Sequence, residues 1–312
     1  MTNINHHGND ANVANDVKEA SFYKLPKNNI NNINNINDII ECELCPHYCK
    51  ILPSKTGICM ARRNQNGRLT AENYGKVTSI ALDPIEKKPL YHFYPGSKIL
   101  SVGSYGCNFH CGFCQNHRIS MQKSSYREFS PENIAEISKE YITQGNIGAA
   151  YTYNEPLIGY EFVKDCARLI QSQEQKNVLV TNGFINPKPL ELLLPFIDAL
   201  NIDLKSFSSS FYKEISGVLN ALEDVKRTIN MAVSNCHVEI TTLVLPHEND
   251  SVEEMESLSG WIADINTDIP LHITRFFPAY KMFNTKPTPV ETIYKLVETA
   301  RRNLRYVYHG NC

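Results

Sequence analysis

Residues 98–103, KILSVG, run into GCNFHCGFC at 106–114, so an apolar strand delivers three cysteines at its C-terminal end. This stretch reads as a strand, the first of a series alternating with helices. Cys107, Cys111 and Cys114 place three thiolates within eight residues, with no obvious fourth ligand beside them. Soft thiolates select zinc, copper(I) or iron–sulfur centres. A structural zinc site closes with four protein ligands, and only His110 or His117 is near enough in sequence to supply the fourth. Three thiolates on a cubane cluster instead leave one iron open to an outside ligand.

Outward from this loop the pattern repeats. Strands are expected at Lys98–Gly103, Ile147–Tyr153, Val178–Val180, Ala199–Asp203, Val238–Leu243, Leu271–Phe276 and, more weakly, Arg305–Tyr308, with helices between them. Ser130-Pro131-Glu132 opens one helix with a cap, a first-turn proline and an acid, and Gly145 ends the pattern. Ser251-x-x-Glu254 and Thr288-x-x-Glu291 are capping-box candidates, the second ahead of an apolar face of Ile293, Leu296, Val297 and Ala300. Residues 98–309, shared among six units, allow about 35 residues each, enough for strand–helix crossovers. Asn154 and Glu155 follow the second strand, Thr181, Asn182 and Gly183 the third, and Asp203 and Lys205 close the fourth. In a parallel barrel these ends share one mouth, where active sites lie. The expected fold class is α/β: a partial, open (β/α)6 barrel with a small Cys-rich N-terminal extension.

The chain has 312 residues, ten of them cysteine, and a formal charge of -2. That balance builds in no bulk attraction to nucleic acid or anionic lipid. No apolar run approaches a membrane span and no secretory h-region opens the chain, so a soluble cytoplasmic protein is expected, with clustered thiols serving metal or redox chemistry rather than disulfides. Three regions are expected. Residues 1–40 hold twelve asparagines and an Asn-Asn-Ile repeat over 28–39, too polar to bury a core, with a short amphipathic helix around Val17 to Tyr23. Residues 41–97 form a Cys-rich metal-binding unit and strap, and 98–312 the barrel.

The segments CELCPHYCKI, DPIEKKPLYHFYPGS, GCNFHCGFCQN, AYTYNEP, VTNGF, NIDLK, RFFPAYKM and YVYHGN, in this order, resemble the radical SAM (S-adenosylmethionine) protein of the AmmeMemoRadiSam system, a relative of pyruvate formate-lyase-activating enzymes. The resemblance spans about residues 40–311. It implies a radical SAM barrel with a [4Fe-4S] cluster on Cys107, Cys111 and Cys114 and SAM on the open iron. One electron then cleaves SAM to methionine and a 5′-deoxyadenosyl radical, which abstracts hydrogen from a substrate: an oxidoreductase or lyase reaction in glycyl-radical-enzyme activation or another AmmeMemoRadiSam-linked modification. It further implies flavodoxin or ferredoxin as electron donor, because the cluster must sit at the low end of the potential range, and a protein substrate. By the same resemblance Glu155 and Asn154 meet the methionyl ammonium, Lys205 the methionyl carboxylate with Asp203 orienting it, Thr181 and Asn182 the ribose and methionine, and Phe113 the adenine. Val180 stands where activating enzymes carry an Asp of a cation site, Tyr280 where a related pattern has His, and the chain ends at Cys312 where members continue. The alternative is an iron–sulfur electron-transfer protein without substrate chemistry.

Cys42, Cys45, Cys49 and Cys59 supply four more thiolates, enough for a zinc ion or a second [4Fe-4S] cluster. A zinc module for nucleic acid lacks a basic face, Arg62-Arg63 being the only local pair. The strap Asp83–Ser97, with Tyr91, His92, Phe93 and Tyr94, is expected either as a wall of the barrel mouth or as a cover on the barrel's outside. His92 and Tyr280 are the substrate-side candidates. Cys166 reads as a buried thiol on a helix face.

Overall fold

The computed structural model describes residues 17–25 and 39–312. The Asn-Asn-Ile repeat lies outside the described residues except for Ile39. Val17 to Tyr23 is extended rather than helical. Glu19 bridges Thr70, Ala20 donates to the Leu69 carbonyl and is buried, and Phe22 sets its ring edge-on to Tyr160. Seven residues gain too little from an isolated turn to nucleate a helix, whereas pairing with an existing strand satisfies their backbone at once.

The N-terminal region is made of short strands. β1 (Tyr23–Lys24), β2 (Ile40–Cys42) and β3 (Lys50–Ile51) form one antiparallel sheet, and β4 (Arg62–Gln65) pairs with β5 (Arg68–Ala71). Arg62, fully buried, is ion-paired with Glu161 at 2.9 Å and ties this region to the barrel. β6 (Lys76–Val77) pairs with a later two-residue strand, β9 (Arg127–Glu128).

The main sheet contains β7 (Ser79–Pro84), β8 (Lys98–Gly103), β10 (Asn146–Tyr151), β11 (Lys176–Thr181), β12 (Ala199–Asp203), β13 (His237–Val244), β14 (Leu271–Arg275) and β15 (Val307–Gly310). Spatial order follows chain order from β7 to β15. Every pair is parallel except β7 with β8, and β7 and β15 are its edges. The sheet is therefore open, as expected, and all seven expected strands are present.

The helices are α1 (His117–Ser120), α2 (Pro131–Glu140), α3 (Tyr160–Ser172), α4 (Pro187–Leu193), α5 (Ser209–Glu214), α6 (Ala221–Val233), α7 (Val252–Ile265) and α8 (Val290–Ala300). Ser130 caps α2, with Asn133 completing the reciprocal pair. Ser251 accepts from the Glu254 amide, but the Glu254 carboxylate reaches away to the Phe207 amide and the Ser206 hydroxyl. Thr288 caps nothing: its hydroxyl donates to the Val244 carbonyl at 2.6 Å, and Pro289 precedes the first turn of α8. Burial of a hydroxyl against a strand end has overridden the capping pattern.

Alternate residues of the same strands feed two separate cores. Leu100, Leu179 and Leu200 join the helix-covered core with Cys166 of α3, while Ile99, Ala150, Val178 and Ala199 pack against Ile85, Leu90 and Phe93 of the strap. The strap thus lies on the concave face, and this corrects both expected placements. It contacts residues near the N-terminal ends of β8, β12, β13, β14 and β15, opposite the cysteine loop. His92 is accordingly removed from the mouth: its Nε2 is 2.6 Å from the Tyr308 hydroxyl and its ring packs on Tyr306.

The strap is locked by Glu239, wholly buried on β13. Its carboxylate accepts from the Tyr91 and His92 amides (3.0 and 2.7 Å) and faces the Nε2 atoms of His237 and His272 (3.0 and 2.6 Å). Burial alone would raise its pKa, but these four partners outweigh it and hold the carboxyl at about 2. A depressed carboxyl contributes stability above its unfolded value and loses it as pH falls through the folded one. Glu239→Gln should lower stability by about 2–4 kcal/mol near neutral pH. In thermal melts the gap from wild type should shrink between about pH 4.5 and 2; a gap unchanged over that window would contradict the lock.

Candidate functional site

The loop after β8 is held by its backbone. The His110 and Gly112 amides donate to Ser216 and Ile215 carbonyls beyond α5, the Lys281 amide donates to the Gly112 carbonyl, and the Gly106 amide to Ile119. The loop is thereby fixed from three sides. Asn108 carries it inward: its amide donates to the Phe184 carbonyl, its oxygen accepts from Asn182, and its carbonyl lies 2.8 Å from His47 Nε2.

Cys107, Cys111 and Cys114 are free thiols, Cys111 buried and the others half-buried. Burial pushes all three above their ordinary pKa, and neighbouring thiols add to the rise at Cys107 and Cys111; Lys205 works the other way at Cys111 and Cys114. The three side chains therefore share one electrostatic neighbourhood. Among the described residues, however, no three His, Cys, Asp or Glu side chains are gathered closely enough to hold a single ion. His117 stacks on Tyr280 at 4.8 Å with Nδ1 toward the Cys114 carbonyl, and His110 is exposed, so neither completes a zinc site. A soft donor set of three thiols on one loop fits an iron–sulfur cluster.

The next strand ends supply the polar groups. Glu155, buried, accepts from the Thr181 hydroxyl (2.7 Å), the Asn182 amide (2.8 Å) and the Leu157 amide (3.0 Å). Burial outweighs these bonds and raises its carboxyl to about 7. A carboxylate supplied with dipoles but no cation is predisposed toward an ammonium group. Asn154 is fully committed to protein: it accepts from the Ser104 amide and donates to the Gly106 and Glu155 carbonyls. It positions the loop. Asn182 bridges to the loop, donating to Asn108 and, at 3.7 Å, toward Cys107 Sγ. Gly183 at φ +70° lets the turn after Thr181 close.

Lys205, half-buried, is ion-paired with the more open Asp203 at 2.8 Å and lies 5.7 Å over the ring of Phe113, which packs on Phe211. Tyr280, at φ +49°, stands at the cysteine loop through His117. The expected set is thus brought together on one end of the sheet, His92 excepted. Sequence reasoning missed the interior group of Asp83, Lys88 and Tyr153: Tyr153 donates to Asp83 at 2.6 Å, and buried Lys88 pairs with Asp83 at 2.9 Å beneath the Tyr153 ring. Only the strap's passage along the concave face brings Lys88 there, and no spacing encodes that. His47 and Asn108 were passed over because neither has a motif of its own.

A family model for the radical SAM superfamily matches residues 101–258, from β8 into α7 and across the cysteine loop. The chain belongs to the radical SAM superfamily. Members use a [4Fe-4S] cluster and SAM. This radical SAM protein is 39% identical over 302 residues to an uncharacterized protein of Methanocaldococcus jannaschii, covering 95% of this chain and 85% of that one. It is 24% identical over 223 residues to the pyruvate formate-lyase 1-activating enzyme of Escherichia coli K12, covering 65% of this chain and 87% of the relative. Among solved structures, a radical SAM methyltransferase from Sphaerobacter thermophilus aligns with a TM-score of 0.55 at 16% identity, over 70% of this chain and 67% of that one, a likeness of fold. No helix among the described residues is long and apolar enough to cross a membrane.

Gly106, immediately before Cys107, sits at φ +90°, and a Cβ there would lie 2.3 Å from the Cys59 carbonyl oxygen. Gly106→Ala should therefore destabilise the fold by more than about 2 kcal/mol, combining left-handed strain with a backbone clash. A melting temperature within a degree of wild type would show that the loop tolerates displacement.

Proposed function

We propose that this radical SAM enzyme reductively cleaves SAM and uses the 5′-deoxyadenosyl radical to take hydrogen from a protein substrate, as glycyl-radical-enzyme activation or a modification within the AmmeMemoRadiSam system would require. The reading rests on one observation: the ends of β8, β10, β11 and β12 bring the cysteine loop, Glu155, Thr181 with Asn182, and Asp203 with Lys205 to a single mouth. When bound, the cluster and SAM supply the electron and the sulfonium bond it splits.

The chain's own residues bind and orient. Cys107, Cys111 and Cys114 would hold the cluster, and Asn182 directs an amide at the Cys107 sulfur, the kind of contact that would adjust its potential. Glu155 offers its carboxylate to the methionyl ammonium, and Lys205 its ammonium to the methionyl carboxylate, with Asp203 fixing the Lys205 rotamer. Phe113 forms an apolar wall for the adenine, and Thr181 borders the ribose. Tyr280 lies on the substrate side. A low-potential flavodoxin or ferredoxin would supply electrons, and the name of the Escherichia coli relative supports a protein as the substrate class.

Anaerobic incubation with SAM and dithionite tests the reading, with 5′-deoxyadenosine measured by chromatography. Wild type should release it and Cys111→Ala should release at least about a hundredfold less; equal release would end the assignment, and none from wild type would point to an electron carrier. Glu155→Gln should keep its iron while binding SAM about tenfold more weakly, a difference of about 1.4 kcal/mol. Unchanged SAM affinity would remove Glu155 from the binding site.

A further inference from the structure

Cys42, Cys45, Cys49 and Cys59 take no part in the radical SAM loop, and all four are free thiols. They arrive from separate pieces of chain: Cys42 closes β2, Cys45 and Cys49 lie in the turn to β3, and Cys59 precedes β4. The fold nevertheless wraps them around one cavity whose walls include Leu44, Ile51, Ile158 and Asn108. Four thiols lining one mostly apolar pocket are the donor set of a soft-metal centre.

Such a donor set suits zinc or an iron–sulfur cluster. Zinc keeps every sulfur about 2.3 Å from one point, so a tetrahedral site needs thiols about 3.8 Å apart. Among the described residues no three His, Cys, Asp or Glu side chains form a group that could hold one metal ion, although these four thiols line a common cavity. His47 also lines the cavity, with its Nε2 2.8 Å from the Asn108 carbonyl. Four thiolates suit a [4Fe-4S] cluster, which takes one cysteine at each iron, and the loop after β8 already gathers three cysteines of the same chemistry.

The cavity also has a telling neighbour. Asn108 is one of its walls and directly follows Cys107, while the Cys59 carbonyl occupies the space a side chain on Gly106 would fill. The two cysteine sets stand back to back across the Gly106–Asn108 backbone. We propose that Cys42, Cys45, Cys49 and Cys59 bind a second [4Fe-4S] cluster in electronic contact with the first. An electron from a low-potential one-electron donor would reduce the upstream cluster by one and pass to the downstream cluster, returning the upstream cluster to its oxidised state. The contact rests on the radical SAM reading; the upstream cluster itself does not.

The test uses the full chain, reconstituted anaerobically with iron and sulfide, with metal analysis and electron paramagnetic resonance. C107A/C111A/C114A should retain about four irons and a reduced spectrum that ignores SAM. One zinc and no iron, or no metal in a protein that still melts cooperatively, would overturn the upstream cluster. The converse variant, C42A/C45A/C49A/C59A, guards against misfolding of the first: it should fall from about eight irons to about four and keep a SAM-responsive spectrum. Eight irons retained there would equally overturn the assignment. In fully reduced wild type, spectral broadening beyond the sum of the two variants is expected, and a simple sum would refute the contact. No SAM response in wild type, with eight irons present, would sink the proposed function while leaving the second cluster standing.

Discussion

Parallel strands joined by helices leave no face of a sheet free to meet water, and this requirement governs the molecule. The outer face is covered by α2, α3, α6, α7 and α8. The concave face has no helices available to it, and the strap between β7 and β8 fills its N-terminal end instead. The buried Glu239 makes that filling directional, since only the strap amides at Tyr91 and His92, together with two imidazoles, complete its hydrogen bonds. With one end closed in this way, the other is left as the place where polar groups gather.

At that open end the chemistry is arranged through paired charges and shared donors. Lys205 carries its counter-charge in Asp203, whereas Glu155 has dipoles alone. A site built with one neutralised cation and one unneutralised anion has a sense of direction, and a zwitterionic ligand could lie in it only one way. Asn108 and Asn182 connect the strand ends to the cysteine loop, so ordering at one is felt at the other.

Much of this was legible in the residues. The apolar runs at 98–103, 147–153 and 199–203 marked strands because a strand covered on both faces tolerates little polarity, and the polar pairs just beyond them marked the mouth. The Cys107–Cys114 spacing marked the loop. The strap's destination was not legible: Tyr91 and His92 have the same composition whether they cover a mouth, an outer wall or a concave floor, and Glu239 on β13 decides among these from 148 and 147 residues away. Thr288 misled for a similar reason, since its hydroxyl found the Val244 carbonyl, a partner outside its own segment. Val17 to Tyr23 has a helical spacing of apolar residues, but β5 offered an edge.

The Arg62–Glu161 pair joins the short β4 strand to the first turn of α3, with both side chains shut away from solvent. Each charge is tolerated there only because the other is present. The cysteine-bearing region therefore cannot be treated as a detachable ornament: cutting the chain ahead of the barrel would strand an anion inside a helix packed on the sheet. With that region gone, the Glu161 carboxylate would lose both the guanidinium and the Ser21 amide that now satisfy it.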